Sequence, residues 1–594
     1  MDFHIFFLNI FRPVSDNEGL FNFYFYQKNM MQSILKFLLS QRFLSHWGVV
    51  LFLGLGNLTP LLGQPFTRQD SLRGALSPLR SCYDVYYYDL ALRVDPDKQF
   101  IKGQNSIYFE AKTDFTRLQI DLFANMEIEH IVFEGQNLSF TREGNATFVD
   151  FPQSIPKGRR GTFVVYYQGK PRVAVNAPWD GGFSWAKDQK GRPWIGVSCE
   201  GLGASVWWPN KDHLSEEPDS MRIACEVPSA LRCIANGQLV KEEKLADNFT
   251  RFDWRVGYPI NNYNVTLNIG HYVQFSDVYV AQDGDSLALD YYVLDYNLEK
   301  AKKQFAQTGP MLACYEKYFG KYPFWKDGFG MVETPYLGME HQGAIAYGNQ
   351  YKNGYRGYDL SGTGIGLRFD YIIIHEVGHE YWGNSVSCQD HGELWIHESF
   401  CTYTESLYVE CMYGQEDAFR YVMGLSGNVS NREAIVGPLE VNSEGSGDMY
   451  AKGALMLHTL RNVVNDDEKW FALLKGISTD FKFKNTNTKE LIAYISQKLG
   501  KDYSYFFKQY LYYPQLPVLE YRLIPKGKDK TSLEYRWQAD VPDFALPVQV
   551  QTQDGKLVWI YPGPQWQKTQ LPAGESKLRL KPNAYYFVLK PVNP

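Results

Sequence analysis

His375-Glu376-Val-Gly-His379 places two imidazoles four residues apart, with a carboxylate beside the first. On a helix, positions i and i+4 share one face, so both rings converge on a single point. Glu376 lies next to that point, close enough to act on a ligand held there. Two such histidines and a neighbouring acid are what metal-assisted hydrolysis of an amide requires. The preceding Ile372-Ile-Ile374 run predicts a buried helix, where unpaired His and Glu would be costly.

A catalytic zinc site takes three protein ligands and leaves one position open. A third histidine six residues after His379 is excluded, because Ser385 stands there. Three residues remain by type: His391, His397 and Glu398. Glu398 is preferred. It lies in Trp395-Ile-His-Glu-Ser-Phe-Cys-Thr-Tyr-Thr-Glu405, which reads as a second helix, and eighteen residues separate it from His379. A helix-loop-helix hairpin would bring it back to the first helix. Five of the eleven histidines fall within 341–397, so residue type alone leaves the choice open. Glu405 sits two turns after Glu398 on the same face. It could orient one histidine through that ring's other nitrogen, and spacing alone equally allows a solvated glutamate.

The elements that must hold these residues fall into three stretches. From about residue 83 to 275 short alternating runs, such as Tyr86–Val94, Gln104–Glu110 and Gly161–Tyr167, are punctuated by Gly, Asn, Asp and Pro. They predict antiparallel strands. Helical spacing follows at Leu298–Phe305 and Met311–Phe319, then over about 370–385, 395–413, 416–425, 450–465, 487–499 and 504–512. Strands return after Pro514 and Pro517, at 518–523, 532–537 and 548–552. The expected division is a leader at 1–64, an N-terminal β-domain at 80–280, a mainly helical catalytic domain at 281–515 and a C-terminal β-domain at 516–594.

Composition excludes several classes. Hydrophobic residues make up 44% and charged residues 21% of 594, so the chain is neither disordered nor a polytopic membrane protein. A net charge of −6 argues against nucleic acid as a partner. Eight cysteines are too few for a disulfide scaffold, and no C-x-x-C pair is present. Lys36 and Arg42 precede an uncharged stretch from Phe43 to Thr67 with an apolar centre. It reads as a secretory signal; Asn57, Thr59 and Pro60 interrupt it too early for a stable membrane span. The start is expected at Met30 or Met31. An exported, periplasmic protein is expected, with secretion or anchoring through an uncleaved signal as alternatives.

Four ordered motifs then show a resemblance. His375-Glu-x-x-His379 with Glu398 eighteen residues on resembles the zinc aminopeptidases of the aminopeptidase N and leukotriene hydrolase family. Gly338-Met339-Glu340-His341 resembles the exopeptidase motif Gly-x-Met-Glu-Asn. Glu200-Gly-Leu-Gly-Ala-Ser-Val-Trp-Trp-Pro-Asn-Lys-Asp212 resembles the segment that begins with a substrate-contacting acid or amide. Tyr450-Ala-Lys-Gly453 resembles the segment of the catalytic tyrosine. The resemblance covers about residue 83 to 515. It implies a multidomain α+β fold: a saddle-like antiparallel β-domain, a thermolysin-like mainly helical domain and a small C-terminal β-sandwich. It also implies one zinc ion held by His375, His379 and Glu398, with Glu376 as general base and Tyr450 as hydrogen-bond donor to the oxyanion. Glu200 and Glu340, with Gly338 and Met339, would receive a peptide's free N-terminus. Only about 80 residues follow Pro514, so the large C-terminal helical domain of many members is expected to be absent. His341 replaces the motif's Asn, and Ser205 replaces an Arg common in some members.

The implied reaction is removal of the first residue from a peptide. An ammonium and a carboxylate about 4 Å apart attract by roughly 4 kcal/mol at an effective dielectric of 20, before desolvation. That favours free N-termini over internal bonds. A zinc endopeptidase and an inactive peptide-binding protein are the alternatives; action on lipid epoxides has no further support in the sequence. Gly343-Ala-Ile-Ala-Tyr347 reads as an edge strand able to pair with substrate backbone.

Overall fold

The computed structural model describes residues 66–526, 530–572 and 577–593. The leader and signal read from residues 1–64 lie outside them. Among the described residues no helix is long and apolar enough to cross a membrane.

Two short helices, α1 (Arg68–Gly74) and α2 (Pro78–Ser81), precede the first strand. That strand, Tyr83–Asp95, buries Tyr88, Leu90, Leu92 and Val94 on one face, as period-2 alternation demands. It lies inside an eight-stranded sheet. All pairs in that sheet are antiparallel except Tyr83–Asp95 with Ser220–Pro228. A four-stranded sheet contains Pro193–Ser198, flanked on both sides by antiparallel partners. This strand runs straight into Glu200, so the acid's backbone starts from a strand fixed on both edges.

The next sheet has five strands, in the order Tyr272–Val280, Ser286–Leu294, Phe329–Glu333, Ile345–Tyr347, Gly338–Met339. The first two form one hairpin, which straddles the boundary expected at residue 280. The sheet that carries the site therefore starts at Tyr272. Ile345–Tyr347 is not an edge strand, contrary to expectation: it pairs with Phe329–Glu333 on one side and Gly338–Met339 on the other. The chain doubles back at the Gly343 turn and covers it, leaving Gly338–Met339 as the outer strand.

Helices α3 (Leu298–Phe305), α4 (Thr308–Phe319), α5 (Tyr371–Gly378), α6 (Trp395–Tyr413), α7 (Gln415–Gly424), α8 (Ala451–Val464), α9 (Asp467–Asp480), α10 (Thr488–Leu499) and α11 (Ser504–Tyr512) build the catalytic region. Helix α9 lies where the sequence reading placed none. Its start is capped by the Asp466 side chain on the Lys469 N–H. Helix α6 is buried on all sides from Trp395 to Val409. A disulfide between Cys314 and Cys411 ties α4 to its far end, and the six other cysteines are free and buried.

Helix α8 crosses α6 so closely that a Cβ added at Gly453 would lie 1.8 Å from Ser399 Oγ. Gly453→Ala is therefore expected to destabilise the protein by about 1–3 kcal/mol, the usual cost of forcing atoms into a packed contact. Thermal unfolding that matches the wild type would contradict this reading of the crossing.

After α11 come a four-stranded sheet (Val518–Lys526, Lys530–Gln538, Gln567–Pro572, Val588–Pro591) and a three-stranded one (Val548–Gln551, Leu557–Ile560, Arg579–Leu580). N-terminal antiparallel sheets, a helical catalytic region and C-terminal sheets make the expected multidomain α+β arrangement.

Candidate metal centre and substrate cleft

Helix α5 is anchored at its start by Asp370. This buried carboxylate caps the Ile372 N–H at 3.1 Å and accepts from Tyr347 Oη, Asn349 Nδ2 and Gln304 Nε2, each at 2.7 Å. Burial still pushes its carboxyl up to about 6. These bonds tie the helix to the sheet that carries Glu340. The helix is shorter than expected: it ends at Gly378 rather than near 385. His379 is its C-cap, at φ −65° and ψ −21°, so helical geometry persists just far enough to keep the two imidazoles on one face.

Each ring is held by its other nitrogen. His375 Nδ1 lies 2.8 Å from Glu405 Oε1, and His379 Nδ1 lies 2.9 Å from the Trp382 carbonyl. Glu405 is itself fixed by Tyr421 Oη at 2.6 Å. Both Nε2 atoms therefore face the cleft, 3.3 Å apart, and Glu398 Oε2 lies 3.5 Å from each. Donors about 2.0–2.1 Å from a tetrahedral zinc ion would be about 3.3–3.4 Å apart. Glu398 Oε2 is buried and accepts no hydrogen bond. An orphaned carboxylate oxygen facing two imidazole Nε2 atoms is a set that a divalent cation satisfies, and the N, N, O donors suit zinc.

The other two residues considered as third ligand serve elsewhere. His397 Nε2 accepts from the Cys388 N–H at 2.9 Å. His391 lines a small neighbouring cavity.

Glu376 is buried beside the triangle. Burial raises its carboxyl to about 7, against the attraction of His375 and His379. Gly338 makes room for it: an added Cβ would lie 2.6 Å from Glu376 Oε1. Tyr450 Oη donates to Glu398 Oε1 at 3.0 Å, which puts the phenol at the rim of the same triangle. His375, His379, Glu376, Glu398, Gly338, Met339, Glu340, Glu200, Glu405 and Tyr450 all line one cleft of about 570 Å³.

Glu340 is buried and accepts from Tyr263 Oη at 3.1 Å. Burial, and then the carboxylate of Glu340, push Glu200 well above its ordinary value. Burial likewise raises Glu340, aided by Glu398 and opposed by His379. Two acids lining one cleft, with no Lys or Arg among the described residues that line it, make a place suited to an outside cation.

The two departures from the family motifs have local explanations. The turn at His341 is held by Asn384 Nδ2, which donates to the Glu340 carbonyl at 2.7 Å, and by Asn264 Oδ1, which accepts from the Gln342 N–H at 3.3 Å. His341 itself is fully buried, with no hydrogen bond at either ring nitrogen. Ser205 closes the turn after Glu200. Its N–H and Oγ both donate to Asp212, as does the Ala204 N–H at 3.1 Å.

Sequence reasoning missed Tyr263, Tyr371, Tyr421 and Asn384. Tyr371 stacks on His375 with ring centroids 5.2 Å apart. Asn384, five residues past His379, was the most reachable from the motif. A tyrosine among 42 carries no such signal.

In residue type and geometry the site is similar to that of zinc-dependent peptidases, and the comparisons with known proteins point the same way. Residues 303–510 match the peptidase family M1 domain. Leukotriene A-4 hydrolase of Xenopus laevis is 21% identical over 474 residues, 74% of this chain and 73% of that protein. A leucyl aminopeptidase of Saccharolobus solfataricus is 21% identical over 57% of this chain and 43% of its own length. Aminopeptidase N of Lactococcus lactis is 28% identical over 26% of this chain and 19% of its own. The chain thus spans half or less of the length of several aminopeptidases it matches. An M1 zinc metallopeptidase from Deinococcus radiodurans, solved with a Tyr-Ser-Ala substrate, superposes with a TM-score of 0.63 at 19% identity, over 74% of this chain and 97% of that one. The fold is shared. Most of the helical region is thus similar to the peptidase M1 domain, and the resemblance to the aminopeptidase N and leukotriene hydrolase enzymes extends well beyond the four motifs.

Proposed function

We propose that this protein is a zinc aminopeptidase that hydrolyses the first peptide bond of peptides with a free N-terminus. The observation that carries the reading is that Glu200 and Glu340 line the same cleft as His375, His379 and Glu398, and that among the described residues no Lys or Arg lines that cleft. An α-ammonium there relieves their repulsion and sets the first peptide bond over the metal centre.

Zinc, when bound, supplies a Lewis acid that polarises the scissile carbonyl and acidifies water. Glu376 accepts a proton from the attacking water on its carboxylate and passes it to the leaving amine. Burial favours this role, because it raises the proton affinity of the carboxylate. The Tyr450 hydroxyl donates to the oxygen that gains charge. Glu405 holds His375 in the orientation that presents Nε2.

Free and N-acetylated forms of one peptide separate this reading from an endopeptidase. Acetylation deletes the cation that Glu200 and Glu340 receive. We expect kcat/KM to fall at least about 100-fold, within the roughly 4 kcal/mol such a pair can supply. Equal cleavage of the two forms would refute exopeptidase action.

Export to the periplasm belongs to the same proposal. Its supports are the uncharged stretch from Phe43 to Thr67 and the Cys314–Cys411 disulfide, a bond that persists in oxidising compartments. Fractionation of the native host, followed by activity, tests it; enzyme confined to the cytosol would overturn it.

A further inference from the structure

The segment that precedes the first strand touches both loops that bring substrate-handling groups into the cleft. Arg73, in the last turn of α1, donates to the Leu202 carbonyl, two residues past Glu200. Gly74, the next residue, packs so tightly on the loop leading to Tyr450 that an added Cβ would lie 2.0 Å from the Val441 carbonyl carbon. The Asp70 carbonyl accepts from the Asn442 N–H at 3.2 Å, and Asn442 Nδ2 donates to the Gly201 carbonyl at 3.3 Å. The three pieces, α1, the Glu200 loop and the 441–442 loop, thus close a ring of contacts.

The Glu200 loop needs such support. It reads Gly201-Leu202-Gly203, and Gly203 adopts φ +87°, where only glycine is comfortable. Inside the loop the Gly203 N–H donates to the Cys199 carbonyl at 2.7 Å, and the Gly201 and Leu202 carbonyls are left to partners from other elements. Its first two carbonyls are held from outside, one by Asn442 and the other by Arg73. Helix α1 is in turn pinned by the fully buried Arg80, which donates to the Arg73 carbonyl at 2.8 Å, the Ala75 carbonyl at 3.0 Å and Asp121 Oδ2 at 2.7 Å. Asp121 closes the strand Phe115–Asp121 of the N-terminal sheets. The brace therefore runs from a rigid sheet, through two arginines, to the backbone that carries Glu200.

We propose that Arg73 is a positioning residue for the substrate N-terminus: it fixes the Glu200 loop through the Leu202 carbonyl, so that the two recognition carboxylates stay aimed at one point. This rests on the aminopeptidase reading. Arg73 touches neither the metal ligands nor Glu376, so its effect falls on recognition of the free N-terminus rather than on turnover.

The test measures binding without turnover. In a Glu376→Gln background, calorimetry gives Kd for a short peptide with a free N-terminus and for its N-acetylated form, with and without Arg73→Ala. Zinc content and thermal midpoint are measured for each protein. We expect Arg73→Ala to weaken binding of the free peptide about tenfold, the scale of one charge-assisted hydrogen bond, and to leave the acetylated peptide unchanged. Arg73→Lys, which can still donate to Leu202, should recover most of the loss. In the otherwise wild-type enzyme KM should rise about tenfold with kcat within about twofold. Equal Kd values with and without Arg73 overturn the role. So does weakening that affects both peptides alike, or that follows a loss of zinc or of thermal stability. If the protein that keeps Arg73 already binds the two forms equally, the aminopeptidase reading fails first and the role of Arg73 falls with it.

Discussion

Glu376→Gln should retain zinc at wild-type stoichiometry and hydrolyse an aminoacyl chromophore about 10³–10⁴-fold more slowly, the upper part of the range for losing a general acid–base group. Both halves of that expectation come from geometry. The metal triangle consists of His375 Nε2, His379 Nε2 and Glu398 Oε2, and Glu376 contributes no corner to it. An amide matches the carboxylate in size, and the space it needs is already made by the absent side chain at Gly338. What changes is proton affinity: a carboxylate can take and return a proton, the more readily for its burial, and an amide cannot. Atomic absorption and single-turnover rates check the pair of outcomes together. Turnover within about tenfold of wild type would remove Glu376 from the proton path. Lost zinc would make it a ligand instead.

The second large effect is expected at Tyr450. Tyr450→Phe removes one hydroxyl from the rim of the triangle. It should lower kcat by about 100–1000-fold while KM changes by no more than about threefold, because the hydrogen bond is realised as charge builds on the carbonyl oxygen. The 3.0 Å bond from Tyr450 Oη to Glu398 Oε1 already places the donor at the metal centre. Gly453, three residues on, lets α8 approach α6 closely enough to hold it there. A phenylalanine keeps the ring and its packing, so zinc content and thermal stability should not move. A change confined to KM would reassign Tyr450 to substrate binding.

These two predictions differ in how far the sequence could carry them. His375, Glu376 and His379 are linked by helical periodicity, a local rule, and their convergence follows from spacing. The same is true of the β-rich flanks, whose alternation the strands Tyr83–Asp95 and Phe100–Ala111 reproduce. Local rules also misjudged some elements. Helix α5 stops at Gly378 because the chain turns to donate the His379 ring to the Trp382 carbonyl. Ile345–Tyr347 lies inside its sheet because it pairs with other segments on both sides, and pairing, not a strand's own composition, decides where an edge falls.

Sequence by itself determined the chemistry: two imidazoles and an acid at helical spacing, a second helix able to return Glu398, and a chain whose composition suits a globular enzyme. Only the tertiary structure set Glu398 Oε2 at 3.5 Å from both imidazoles while engaging His397 elsewhere, aimed Glu405 at His375, and brought Glu200 and Glu340 into one cleft across 140 residues of chain. The physical reason is the range of the forces. Periodicity and capping act over a few residues and can be read along the chain. The position of a buried charge is set by desolvation and by partners that arrive from other elements, and that balance exists only once the chain has packed.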